Sequence, residues 1–347
     1  MATLPAACAS EPAPVPAFDE EAWLKAVQAT DIEKLYAPHF NEAEGTFFNP
    51  WMLRSERSRP EGARRRGGWF NRPKMEVPPW PEEDYARQEN DYSYLKDKNF
   101  NSISFAGHAS MIIKMNGETI FTDPFFSDRA AVLSKEVKIK FDYDTVPDRP
   151  LVAVSHNHYD HLDKQSIKKL IKKNAVFVVP LKLKKYLEGW GAKEVYELDW
   201  WQSVKIASLT FTFLPAQHWS MRIAPGQGNS KSLWGGFMIQ GEKTVYFSGD
   251  TGYFRGFEEF GNQWEIDYAI IGTGAYEPRW FMHYQHLNPR EFLMAAGDLK
   301  AKTAIPMHFG VIRLSDEPLN YPLWEIAGLA GYSEGIKLLR VGEYLKM

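Results

Sequence analysis

Between residues 101 and 122 the chain runs in short β-type stretches, Ser102 to Phe105, Met111 to Met115 and Thr119 to Thr122, with Asn116-Gly117 between the last two. An Asn-Gly pair accepts the positive φ angles of a two-residue turn, so a hairpin is predicted there. Downstream, strand-like and helix-like runs alternate. Strands are predicted at Leu151 to Val154, Ala175 to Val179, Tyr268 to Ile271 and Thr303 to Pro306. Helices are predicted around 164–173, 181–189, 255–262, 289–300 and 321–330, with a β-rich block from about 194 to 248. Hairpins mixed with helical crossovers call for sheets covered by outer helices, an α/β layered domain. Upstream, Trp23, Leu24, Val27 and Ile32 mark a short amphipathic helix within 18–40, followed by a loop. Residues 1–17 are rich in Ala and Pro and bury too little surface to fold. The chain thus divides into a disordered leader (1–17), an N-terminal extension with a basic arm (18–100) and a main domain (101–347).

Composition changes this picture in three places. Of 347 residues 44% are hydrophobic, enough for a large core, and one Cys excludes both an intramolecular disulfide and a thiolate zinc cluster. Any metal must be held by His and carboxylates. The net charge of −3 gives no reason to expect nucleic acid, and no apolar run of 18 residues exists to span a bilayer. A cytoplasmic or peripheral-membrane protein is expected. That charge averages over a local excess: Arg54, Arg57, Arg59, Arg64, Arg65, Arg66, Arg72 and Lys74 face only Glu56 and Glu61, with Trp51, Trp69 and Phe70 interleaved. Such an arm suits anionic head groups, at about 1 kcal/mol per cation near the surface, or is a solvated basic loop. Leu4-Pro5-Ala6-Ala7-Cys8 resembles the end of a lipoprotein signal but has no apolar stretch before it, so anchoring through Cys8 is expected only for a truncated start.

The chemistry-bearing residues collect where apolar strands end. After 151–154 the chain reads Ser155-His156-Asn157-His158-Tyr159-Asp160-His161. Residues two apart in an extended chain point the same way, so His156 and His158 can grip one ion while Asp160 and His161 turn toward a second. Strand ends of open α/β sheets are where ligand sites form. Three further strand ends carry His218, Asp250 and His308. The arrangement assigns His156, His158 and His218 to a first ion, Asp160, His161 and His308 to a second, and Asp250 to a bridge. This donor set favours two Zn²⁺ and also admits Fe or Mn. Two ions about 3.5–4 Å apart activate a water, so hydrolysis by a metal-bound hydroxide is expected.

These residues resemble the signature of the metallo-β-lactamase superfamily, which implies a four-layered αββα sandwich with the main domain as its catalytic unit. Asp123, in Thr122-Asp123-Pro124, matches an Asp behind the metal ligands, implying that it accepts a ring N–H and fixes a tautomer. Asp250 stands where the true β-lactamases lack a bridging Asp, which points away from antibiotic hydrolysis. Gly107-His108-Ala109-Ser110, Thr122 to Ser127, Ser155 to Asp163, Glu197 to Trp201, Gln217-His218-Trp219, Leu233-Trp234-Gly235, Gly249 to Tyr253 and Gly274 to Met282 are similar to the branch of phospholipases D that hydrolyse N-acylphosphatidylethanolamine. The blocks run from about 102 to 309. The first hundred residues depart from the branch beyond Asn49-Pro50-Trp51, and Phe309 stands where the branch has Trp.

The resemblance implies cleavage of such phospholipids to phosphatidic acid and an N-acylethanolamine by a metal-bridging hydroxide, with Asp160 or Asp250 taking its proton. It implies a general-acid or oxyanion role for His286 near the leaving group, a supporting role for His108 beneath the site, and a homodimer with membrane contact. Tyr276, Arg279, Trp219 and Trp280 are candidate substrate contacts, Arg279 because guanidinium pairs bidentately with phosphate, although an internal Arg279–Glu pair is a competing use. Two other readings stand beside this one: a lactonase or other ester hydrolase acting on a small soluble substrate, and a di-iron redox or non-catalytic metal-binding protein.

Overall fold

Alternate residues of the central strands serve two different cores. Met111, Ile113, Ile120, Leu151, Ala153, Val176 and Val178 share one apolar cluster, while Ile112, Phe121, Val152, Val154, Phe177 and Val179 belong to another. A period of two with both faces buried means a sheet covered on each side. The computed structural model, which describes residues 18–52, 75–223, 228–331 and 335–347, shows what covers them. The leader with Cys8 and nearly all of the basic arm lie outside the described residues.

The first sheet contains β1 (Ser102–Phe105), β2 (Met111–Met115), β3 (Glu118–Thr122), β4 (Leu151–Ala153), β5 (Val176–Pro180) and β6 (Glu194–Leu198). The second contains β7 (Ser203–Ile206), β8 (Leu209–Leu214), β9 (Gly236–Gln240), β10 (Thr244–Phe247), β11 (Tyr268–Gly272) and β12 (Thr303–Met307). A last strand, β13 (Tyr344–Lys346), returns to the first sheet, giving the order β6-β5-β4-β3-β2-β1-β13 against β7-β8-β9-β10-β11-β12. Strands β3, β4, β5 and β6 are parallel neighbours, as are β10, β11 and β12. The hairpin at Asn116-Gly117 forms with φ of 55° and 76°, the mirror-image turn expected of that pair.

The outer face of the first sheet packs on Ile167 and Leu170 of α2 (Lys164–Ile171) and Leu187 of α3 (Lys184–Glu188). Phe257 and Phe260 of α4 (Gly256–Gln263) and Phe292 and Ala295 of α6 (Pro289–Asp298) join the cluster that holds the second sheet. The layers are therefore helix, sheet, sheet, helix. Two short helices complete the chain order, α5 (Arg279–Met282) before α6 and α7 (Tyr321–Ala330) after it.

Three features escaped the sequence pattern: β13, the turn of α5, and two-residue ribbons at 40–47 and 129–134. Each is too short to show a period. The described N-terminal residues are not a separate body, because Trp23, Leu24 and Val27 of α1 (Glu20–Gln28), together with Leu35, Phe47 and Trp51, sit in the main core. Trp51 Nε1 donates to Gln217 Oε1 (3.1 Å) and Asn49 Nδ2 to the His218 carbonyl (3.1 Å), so this segment braces a loop of the site.

Candidate metal centre

Parallel strands end together, and the residues just past β3, β4, β10 and β12 share one edge of the sandwich with those past β8. Two groups of side chains meet there. His156, His158, His218 and Asp250 each place a donor atom within 4.8 Å of the others, as do His108, Asp160, His161 and His308. Asp250 links the groups: its Oδ2 lies 3.1 Å from both His161 Nε2 and His308 Nε2, 3.8 Å from His218 Nε2 and 3.9 Å from His156 Nε2. The sequence assignment did not include His108 among the donors. Here it reaches Asp160, with Nε2 donating to Oδ2 at 2.7 Å.

The donors fit metal ions on a local observation. His158 Nε2 and Asp250 Oδ1 are buried without a hydrogen-bond partner among the described residues, while His161 Nε2 and His308 Nε2 face the Asp250 carboxylate. Leaving such groups unpaired costs about 1–3 kcal/mol each, and a divalent cation is what a convergent set of imidazole nitrogens and carboxylate oxygens satisfies.

Buried partners hold the imidazoles in place. His161 Nδ1 donates to Asp123 Oδ2 at 2.7 Å, and the other oxygen of Asp123 accepts the Ser155 N–H at 2.7 Å. That bond freezes the tautomer of His161 and leaves Nε2 facing the centre. His108, Asp123 and His308 all have positive φ (57°, 38° and 75°). Non-glycine residues in that region cost of order 1 kcal/mol each, and the cost falls where the chain must turn donors inward. A bridge between His108 and Phe309 ties the two sheets directly beneath.

The electrostatics ask for positive charge. Burial alone would raise the Asp250 carboxyl, yet the imidazoles of His161 and His308 hold it well below the usual carboxylate range. Asp160 behaves likewise, burial being overruled by His161 and the His108 hydrogen bond. The reciprocal effect lifts His308 to about 9 against its burial, through Asp250 and Asp160. The outer imidazoles follow burial instead: His158 is depressed to about 4, and His156 falls well below its ordinary value.

His286 lies at the mouth of this centre, its ring centroid 5.2 Å from that of His308 and 5.3 Å from that of His218. Burial depresses it to about 3, so at neutral pH it is a neutral imidazole that donates an N–H rather than a proton. Trp219 stands beside the first group, edge-on to His158 with centroids 4.7 Å apart. Trp280 has a buried Nε1 without a hydrogen-bond partner among the described residues.

Two expected substrate contacts are used otherwise. Tyr276 is 2% exposed and its hydroxyl donates to Glu325; burial and the nearby Glu317 and Glu325 carboxylates push its phenol well up. Arg279 takes the competing use: its Nη2 binds Glu291 Oε2 (2.8 Å) and its Nη1 the His286 carbonyl (3.1 Å), committing the guanidinium inside the fold.

Sequence reading passed over three residues that shape the site. Ser155 shares Asp123 with His161. Arg222 is 5% exposed, donates to the Asn157 and Leu162 carbonyls (3.0 and 2.8 Å) and lies 4.1 Å from the centroid of the Tyr159 ring, so it clamps both flanks of the His158–His161 turn. Glu291 was detectable, since Asn288-x-x-Glu291 has capping-box spacing and the box forms at the start of α6.

This fold and donor set are those of the metal-dependent hydrolases of the β-lactamase superfamily. The family described as Beta-lactamase superfamily domain matches residues 118–309, more than half of the chain, and the chain belongs to it. Over 226 residues it is 34% identical to N-acyl-phosphatidylethanolamine-hydrolyzing phospholipase D 1 of Caenorhabditis elegans, covering 60% of this chain and 63% of the worm protein, less than two thirds of its length. It is 28% identical to a UPF0173 metal-dependent hydrolase of Methanopyrus kandleri, covering 60% of this chain and 84% of that protein. Among solved structures, an isothiocyanate hydrolase from Delia radicum gut bacteria superposes with a TM-score of 0.59 at 16% identity, covering 71% of this chain and 98% of that one. The diiron β-hydroxylase CmlA of Streptomyces venezuelae superposes at 0.52 and 19% identity, covering 72% and 54%. At these identities the structures speak for the fold alone.

Proposed function

We propose that the protein is a dinuclear zinc phosphodiesterase that hydrolyses N-acylphosphatidylethanolamine-type phospholipids. The observation that carries the reading is the single Asp250 carboxylate shared between two donor groups, the arrangement of a two-ion site. The substrate class is supported by the similarity to the worm phospholipase. His156, His158, His218 and Asp250 would hold one ion and Asp160, His161, His308 and Asp250 the other. When bound, the pair supplies Lewis acidity toward a phosphoryl oxygen and a hydroxide nucleophile at neutral pH.

The remaining work falls to the protein. Asp123 and Ser155 keep His161 in one tautomer, and His108 keeps Asp160 aimed at the centre. Neutral His286 donates its N–H to the oxygen that gains charge as the bond from phosphorus to the ethanolamide breaks. The new P–O bond comes from water, and the proton released in that attack ends on the departing alkoxide. Met221 (40% exposed) and Ile223 (83%), two to four residues past Trp219, would supply an apolar rim, and the Ile223 N–H bonds the Tyr159 hydroxyl. Such a rim suits acyl chains, and we assign the protein to peripheral contact with a lipid surface; no helix among the described residues is long and apolar enough to cross a membrane.

The match to a UPF0173 metal-dependent hydrolase supports hydrolysis without naming a substrate, and beside it stands a second reading, an ester hydrolase acting on a small soluble substrate. Incubation with N-acylphosphatidylethanolamine and with a panel of lactones, read by mass spectrometry, separates the two. Phosphatidic acid as a product supports the first; lactone opening alone supports the second. Metal analysis returning about two zinc per chain is expected, and two iron with visible absorbance would overturn the zinc assignment.

A further inference from the structure

Helix α1 lies outside the residues matched by the superfamily and carries none of the metal donors, yet it rests on the loop that presents His286. The contacts run through Glu291, a fully buried carboxylate at the start of α6. Its Oε1 accepts the Trp23 indole N–H from α1 at 3.2 Å. Its Oε2 accepts the Asn288 N–H at 3.0 Å and Arg279 Nη2 at 2.8 Å. Arg279 in turn donates through Nη1 to the His286 carbonyl, while the His286 N–H bonds the Met282 carbonyl at 3.0 Å. Both backbone polar groups of His286 are thereby fixed.

The outer side of the same loop is covered by α1 and the residue before its cap. The ring of His283 lies 4.5 Å from that of Phe18 and 4.6 Å from that of Trp23, centroid to centroid. Glu20 accepts from Asn288, and Arg290 pairs with Glu21 at 2.7 Å. A buried ion pair is weak evidence for stability by itself, and its better-attested use is to fix one register among several. Here the register is that of the 283–288 turn, which determines where the His286 ring meets the rings of His218 and His308.

We propose that α1 is a strut for the active site: Trp23, Glu291 and Arg279 are positioning residues that hold His286 where its N–H meets the leaving oxygen. The choice of leaving oxygen as the target rests on the phosphodiesterase reading; the strut itself does not. A displacement of about 1 Å in such a donor costs up to about a hundredfold in rate. Replacing Trp23 by Phe keeps an aromatic ring in the core but removes the pyrrole half of the indole together with the N–H that Glu291 accepts. Glu291→Gln keeps the shape and removes the charge that holds Arg279.

The test compares both variants and His286→Gln, each loaded with zinc, on two phosphodiesters. N-acylphosphatidylethanolamine releases a strongly basic alkoxide, and bis(p-nitrophenyl) phosphate releases a phenolate that needs little help. A strut predicts that W23F and E291Q lower kcat on the phospholipid by roughly ten- to a hundredfold with KM unchanged, while turnover of the nitrophenyl ester stays within about twofold. The ¹⁵N-histidine NMR signals of His286 should shift in both variants, with zinc content unaltered. Unmoved His286 signals, or equal losses on both esters in W23F and E291Q while H286Q remains selective, would overturn the strut. H286Q losing both activities equally would instead overturn the role given to His286, leaving the NMR shifts to decide on the strut.

Discussion

His161 Nδ1 and Asp123 Oδ2 stand 2.7 Å apart with both side chains fully buried, Asp123 at the end of β3 and His161 at the far side of the turn after β4. Neighbouring parallel strands thus deliver an imidazole and the carboxylate that orients it. Asp123→Asn keeps the volume but allows an amide N–H to face Nδ1, inverting the tautomer. Metal affinity is expected to fall roughly ten- to a hundredfold. Competition with a chelator, followed by zinc fluorescence, measures it, and an unchanged constant would remove Asp123 from the site's machinery.

Asp250→Asn tests the shared carboxylate. The neutral amide offers both donor groups a weaker oxygen and removes the negative charge facing His161 and His308. Zinc content is expected to drop from about two per chain toward one, with phospholipid cleavage reduced by about a hundredfold or more. Circular dichroism should show the fold retained. Retained activity with two zinc would refute the bridge.

Much of this arrangement is legible in the sequence because its ligands follow apolar runs directly. The strand before His156 and those before His218, Asp250 and His308 are visible as β-type stretches, and parallel strands in one sheet end on one edge. Arg279 shows where legibility stops. Its charge suits a phosphate, and nothing local reveals that Glu291, twelve residues on, is buried against it. Only the turn of α5, too short to leave a periodic trace, brings the two together. The same holds for Tyr276 and Glu325, which meet across forty-nine residues. The supporting place of His108 comes from the resemblance rather than from any periodic pattern: it lies in the loop between β1 and β2, and the cross-sheet bridge to Phe309 carries it under Asp160.

The His283 ring makes the docking of α1 sensitive to acid. Burial depresses it to about 4, while in the unfolded chain it titrates near 6.5. Below 6.5 the unfolded form binds a proton that the folded form refuses, so stability rises with pH in this window. The contribution is complete above about 6.5 and is lost progressively as pH falls to about 4, amounting to about 3 kcal/mol. Urea unfolding at pH 7.5 and 5, followed by tryptophan fluorescence, should show this loss, and His283→Gln should reduce the slope by the share of this one ring, the depressed imidazoles of the metal centre supplying the rest. An identical slope in the variant would place the acid sensitivity elsewhere.

Arg222 holds the metal-binding turn from outside. Arg222→Met fills much of the same space beside Tyr159 but leaves the Asn157 and Leu162 carbonyls without their shared donor. Two neutral acceptors losing a charged partner should cost about 2–4 kcal/mol, a large share of a marginal stability. Because these carbonyls flank His158 and His161, zinc should also dissociate faster in the variant at temperatures well below its melting point. Arg222→Lys restores the charge but not the geometry of a planar fork, and is expected to recover about half of the lost stability. Thermal melting and chelator-driven zinc release, measured on both variants, check the two effects separately. Faster release without any loss of melting temperature would show that the clamp serves the metal turn alone, and loss of melting temperature with unchanged release would show that it serves only the fold.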